Sequence, residues 1–189
     1  MSTLKVDTIK SDTTPTVTIS DGLSVTGVTT STGNINISND SGKIQFGASQ
    51  DLQIFHDGYN RICGDSLYIN NKANSEQYIY CHTNGRVDLF YDNVKTFSTL
   101  SDGIHVQGPE GGAGLIKLSA DEGDDNADNW LFQANTDGTL DIKNLTDGSW
   151  DTNIKCAGDG QVELYHNDAK KLETTSSGVT VTGALTATS

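Results

Sequence analysis

The sequence is poor in almost everything that builds a compact core. Only 34% of its 189 residues are hydrophobic, against about 45–50% (on a slightly wider residue set) in ordinary soluble domains. A single large core is therefore not expected. Basic residues are scarce: 12 Lys and Arg face 25 Asp and Glu, a formal net charge of −13. Neutralising nucleic-acid phosphates needs clustered Lys and Arg, so no nucleic-acid partner is expected. No apolar run approaches the roughly 18–20 residues that span a bilayer, so membrane insertion is not expected either. The opening MSTLKVD lacks the hydrophobic stretch of a signal peptide, and synthesis in a cytoplasm without secretion by that route is the expectation. The cysteines, Cys63, Cys81 and Cys156, are odd in number and include no C-x-x-C. That argues against a disulfide framework or a zinc site and for small buried apolar residues. The two prolines, Pro15 and Pro109, stand ahead of strand-like runs. No cofactor is expected.

What is present is alternation. Apolar and polar side chains alternate around Val17-Thr18-Ile19, Leu23-Ser24-Val25, Ile35-Asn36-Ile37, Leu52-Gln53-Ile54 and Leu67-Tyr68-Ile69. They do so again at Val87-Asp88-Leu89, Ile104-His105-Val106, Leu140-Asp141-Ile142, Val162-Glu163-Leu164 and Val179-Thr180-Val181. A period of two sends neighbouring side chains to opposite faces, which is the mark of half-buried strands. Turn pairs such as Asp21-Gly22, Asp57-Gly58, Asn84-Gly85, Asp102-Gly103, Asp137-Gly138 and Ser177-Gly178 punctuate the strands. Strands at about 8–12-residue spacing predict an all-β chain. The one weak helical signal, residues 167–173, is opened by Asn167-Asp168, which is turn chemistry.

The sequence also repeats. GRVDLFYDNVKTFSTLSDGIHVQG, residues 85–108, aligns without a gap to GQVELYHNDAKKLETTSSGVTVTG, residues 160–183, at an offset of 75, with nine of 24 positions identical. At the same offset Cys81 falls on Cys156 and Ile79 on Ile154. A shorter copy, DGLSVTG, occupies residues 21–27, and GNINIS at 33–38 echoes GLIKLS at 114–119. Repeats this polar cannot close a core alone, so each needs a neighbouring unit or the same unit of another chain. The reading is an elongated β-protein in three parts: a segment 1–30, a repeat module 31–108, and a second module 109–189 with a C-terminal strand. Leu23, Val25, Ile104, Val106, Val179 and Val181 are expected to point inward, toward a module core or a shared axis. Three copies of the last strand around an axis would bury its Val179, Val181 and Leu185 edge.

Candidate chemistry is thin. Asp121, Asp124, Asp125 and Asp128 could offer oxygen ligands to calcium, without EF-hand spacing, and a solvated loop is the plainer reading. His56, His82, His105 and His166 come with no nucleophile elbow. Carboxylates are abundant and undifferentiated, so no glycosidase pair can be picked. Trp150, in the loop-like Asp147-Gly148-Ser149-Trp150, is the better candidate for an exposed ligand contact. Trp130, beside Leu131 and Phe132, reads as core or interface packing. No catalytic residue is assigned, and an enzyme is not expected.

Four word-like strings carry a resemblance that covers nearly the whole chain: MSTLKVDTI, LQIFHDG (52–58), ADEGDDNAD (120–128) and the closing VELYHNDAKKLETTSSGVTVTG. They resemble modules of virion structural and tail-fibre proteins of marine phages, especially cyanophages. The resemblance implies an intertwined homotrimeric β fibre, β-prism- or β-helix-like, assembled in a host cytoplasm and carried on the virion tail. It implies docking on phage tail or adaptor proteins through residues 1–14, and contact with a host surface glycan or protein. Two rivals stand beside it: a capsid-decoration or other head-associated structural protein, and a tailspike-type polysaccharide depolymerase.

Overall fold

In a computed structural model of the chain, residues 23–37 and 42–187 are described. The alternating run at 17–19, the Asp21-Gly22 turn and the 1–14 docking segment lie outside the described residues. Fifteen strands, all antiparallel, form three open sheets, and no α-helix occurs among the described residues. The fold is all-β.

Each sheet is a plain meander in chain order: most connections are short turns that return the chain beside itself, and the longest, residues 120–128, carries two 3-10 turns. The first holds β1 (Lys43–Phe46), β2 (Leu52–His56) and β3 (Asn60–Cys63). The second holds β4 (Leu67–Asn70), β5 (Gln77–Cys81), β6 (Val87–Tyr91), β7 (Val94–Leu100) and β8 (Gly103–Val106). The third begins with β9 (Gly114–Ser119), β10 (Asn129–Ala134) and β11 (Thr139–Asn144). It continues through β12 (Asp151–Ala157), β13 (Val162–His166), β14 (Ala169–Thr175) and β15 (Gly178–Val181).

The sequence repeat is a structural repeat. Strands β5–β8 and β12–β15 pair in the same register, and each module has a bulge at the same place: Leu89/Phe90 in one and Leu164/Tyr165 in the other. The turns between these strands match as well. Asp92 and Asn93 have φ of 50° and 60°, and Asn167 and Asp168 have 47° and 56°. Two successive positive φ values make the two-residue hairpin turn whose twist suits antiparallel strands, and Asn and Asp tolerate it. Each turn also caps the next strand over: Asn93 Oδ1 accepts from the Gln77 N–H at 2.9 Å, and Asp168 Oδ1 from the Thr152 N–H at 2.7 Å. Residues 167–173 are therefore a hairpin and not a helix.

Two expected strands are absent. Leu23–Val25 and Ile35–Ile37 take no strand conformation. Their alternation is intact but no described segment pairs with them, and an unpaired strand has no ladder to hold it.

The apolar side chains do not form an interior. Leu131, 7% exposed, is the only buried hydrophobic residue among those described, while Asp88, Ser98, Asn129, Asp141 and Glu163 are all buried. The chain exposes 15220 Å², against about 8,700 Å² for a compact chain of its 20.1 kDa. Assigning the undescribed residues the full surface of an extended chain, about 4,300 Å², leaves the rest well above the roughly 7,800 Å² of a compact chain of that size.

Candidate functional site

The register explains where the apolar side chains went. In the third sheet one row crosses all seven strands: Ile116, Phe132, Ile142, Ile154, Leu164, Leu172 and Val181, each directly opposite the next. In the second sheet the matching row is Ile69, Ile79, Leu89, Phe97 and Val106. The first sheet has Ile44, Ile54 and Ile62. A parallel row adds Leu140, Cys156 and Val162 in one module and Leu67, Cys81 and Val87 in the other. None of these residues is buried, and Ile44, Ile62, Ile69, Ile116, Leu140 and Leu164 each expose 40% or more.

The opposite face carries the charge. Its central row in the third sheet is Gln133, Asp141, Lys155, Glu163, Glu173 and Thr180. In the second sheet it is Tyr68, Tyr80, Asp88, Ser98 and His105. All six residues buried among those described lie on this face. A stand-alone domain with one wet face turns its apolar face to its core and its charged face to water. Here the charged face is the crowded one, because long polar side chains cover one another, and the apolar face is open. Contiguous apolar surface beyond a few hundred Å² is rare on stand-alone soluble proteins.

Two buried carboxylates anchor the charged face at equivalent positions. Glu163 accepts hydrogen bonds from the Tyr165 hydroxyl and from Lys170 Nζ at 3.0 Å. Those bonds outweigh burial and hold its carboxyl down at about 2, while the Tyr165 hydroxyl is pushed up to about 12. Lys170 also pairs with Glu173, which stands directly opposite Glu163. Like charges facing across strands repel, and Lys170 offsets that. At the equivalent position burial pushes the Asp88 carboxyl up, but the Ser98 hydroxyl and His82 beside it bring it below its ordinary value. Ser98, Asp88 and His82 do not make a nucleophilic triad. Asp88 sits in the middle, where His would have to be, and Ser98 is 1% exposed.

The expected residues divide as follows. Ile104, Val106, Val179 and Val181 lie on the apolar face, but the chain's own fold does not bury them: Ile104 and Val179 are 61% and 60% exposed. Leu23 and Val25, 69% and 47% exposed, join no sheet. Of the two expectations, a module core and a shared axis, the single chain forms no module core around these residues, and the four in strands stand on an open face. The cysteines, expected buried, are corrected: Cys63 is exposed, and Cys81 and Cys156 are half-buried at equivalent points on the apolar face. Asp124, Asp125 and Asp128 bring carboxylate oxygens within 4.8 Å of one another, and Asp121 does not join them. Asp128 is already used locally, its side chain accepting from the Asp125 N–H at 3.2 Å. Trp150 is exposed, as expected, at 36%, and Trp130, 43% exposed, lines a hollow of about 650 Å³ together with Asp147, Asp151 and Asp168. Burial first, then the neighbouring Asp147 and Asp168, push the Asp151 carboxyl up.

Comparison with protein-family models, with curated proteins and with solved structures finds no significant match to this chain.

Proposed function

We propose that this chain is a structural protein of a phage virion, a homotrimeric tail fibre or fibre-like appendage whose subunits bury their apolar sheet faces on one another. The observation that carries the reading is the continuous apolar face, exposed in the single chain and free of charged side chains along its central rows. Self-association is how a chain of net charge −13 can stay soluble and still bury that face: the charges remain on the outside. Burying the face would remove a large fraction of the surface in excess of a compact chain, on the scale of obligate interfaces above about 2,000 Å². The number three, the fibre and the virion rest on the resemblance of the four sequence strings. The N-terminal segment would dock on tail or adaptor proteins, and the polar face would look toward the host.

The depolymerase rival draws on the Trp130 hollow, where Asp151 is raised beside Asp147 and Asp168. Glycosidase carboxylates stand about 5–9.5 Å apart, with the sugar or a water between them. Release of reducing ends from a host-surface polysaccharide would establish the depolymerase, and none is expected. The structural reading is tested by locating the chain in purified virions and by its mass in solution. A chain found in the head lattice would favour the decoration rival, and a lone 20.1 kDa species would remove the fibre.

A further inference from the structure

The two modules keep the same apolar face and diverge on the polar one. In the first module the Tyr68 and Tyr80 rings stack, with centroids 4.0 Å apart and planes within 14°. The Tyr80 centroid lies 3.6 Å from that of His82. His82 Nε2 is 2.8 Å from Asp88 Oδ2, and Asp88 is 3% exposed. Arg86 lies above them, with Nε 3.2 Å from Asp88 Oδ1 and Nη2 3.1 Å from His82 Nε2.

These contacts compete for one atom. His82 Nε2 either donates to Asp88 or accepts from Arg86, and it cannot do both. The shorter contact, to a buried carboxylate, takes the proton. Arg86 Nη2 then faces an N–H and is left without an acceptor there. The buried acid therefore holds both a histidine and an arginine, and Arg86, its side chain 47% exposed, keeps guanidinium donors that Asp88 does not take. Beside them is a hollow of about 360 Å³ lined by Tyr80, His82, Thr83, Asn84 and Arg86. That volume suits a small ligand bounded by aromatic surface and a few polar groups. The second module has no counterpart: its matching positions are Asp141, Lys155, Ala157 and Gln161.

We infer that this hollow binds one carboxylate-bearing sugar ring of a polysaccharide. The apolar C–H surface of the ring would pack on the His82 ring and the edge of Tyr80, whose two faces Tyr68 and His82 already cover. The carboxylate would take the unpaired Arg86 donors in the planar, two-point geometry that guanidinium favours. The Asn84 amide and Thr83 hydroxyl would bond ring hydroxyls. The site deepens the fibre reading by naming a class of host-surface ligand, and it rests on that reading only in needing the polar face outward.

The test uses the full-length protein at its native mass, in about 0.15 M salt so that long-range repulsion is screened. Tetragalacturonate and neutral maltotetraose are titrated by calorimetry into wild type, Arg86→Gln, Tyr80→Ala and, as a second-module control, Lys155→Ala. Expected are uronate binding to wild type, a loss of about tenfold or more in Arg86→Gln and Tyr80→Ala, weaker binding of maltotetraose by a similar factor, and no change in Lys155→Ala. The solution mass, read separately, reports on assembly alone. No uronate binding by wild type, equal binding of the neutral sugar, or equal binding by Arg86→Gln overturns the site, whether the protein is a trimer or a single chain.

Discussion

Strands β4–β8 and β11–β15 are two copies of one design that agree on one face and differ on the other. Along the apolar row, Ile79, Leu89, Phe97 and Val106 answer Ile154, Leu164, Leu172 and Val181. The bulges and the hairpin turns also coincide. On the polar row, stacked Tyr68 and Tyr80 stand where the other module has Asp141 and Lys155. Even the shared buried acid has different company: His82 and Arg86 hold Asp88, while Tyr165 and Lys170 hold Glu163. Within this one chain, the open apolar face is the one kept alike, and the polar face is the one that differs.

The largest effect should come from charging the shared face. Leu89→Asp or Leu164→Asp would put one carboxylate per copy into the interface, at about 3–5 kcal/mol for each uncompensated buried charge. Either variant should lower the oligomeric mass in gel filtration with light scattering. Lys155→Glu, on the polar row, should leave the mass unchanged; if it disrupts assembly as strongly, the two faces have been assigned the wrong way round.

Acid should separate the modules next. Glu163 titrates at about 2 in the folded protein, below its ordinary 4.5. Its contribution is present above pH 4.5 and is lost as the pH falls toward 2. Asp88 is likewise lowered, but from 3.8, so its loss begins at lower pH. Melting followed by circular dichroism should show stability falling below pH 4.5, and Glu163→Gln should flatten that fall. Lys170→Met should lower the melting temperature by a few degrees at pH 7, because Glu163 and Glu173 then face each other unscreened. The deficit should shrink below pH 4, once carboxylates protonate. Asp151 has the opposite sign: its carboxyl is raised, so its ionisation at neutral pH opposes folding. Asp151→Asn should raise the melting point slightly at pH 7 and do little at pH 3.

The smallest contrast is at the turns, where the modules are alike. Asp92→Val and Asn167→Val force a β-branched residue into positive φ, at a cost of about 1–2 kcal/mol. Equal losses in melting temperature are expected, and a marked inequality would mean the modules do not share their turn.

The sequence carried the class and the period but not the layer. Seven alternating runs, from Leu52–Ile54 to Val179–Val181, became strands because each had a partner one hairpin away. Strands β7 and β14 were hidden: Val94–Leu100 and Ala169–Thr175 put Lys, Thr, Ser and Glu on the charged face and leave few apolar residues to mark the period. The choice between a module core and a shared axis stayed open, because alternation reports only that a strand has two unlike faces. It cannot tell whether the apolar one packs within the chain or between chains. The Tyr68–Tyr80–His82 cluster was missed because its members come from different strands, and only register brings Tyr68 beside Tyr80. The signal was nonetheless in the repeat: Arg86 and Asp88 sit inside the aligned block, where Gln161 and Glu163 replace them.

The central claim is that the apolar face is a subunit interface. Sedimentation equilibrium of the wild-type protein at micromolar concentration tests it most directly. A species of about 60 kDa, three times the 20.1 kDa chain, is the predicted result, and a stable, well-folded single chain with its apolar face in water would contradict it.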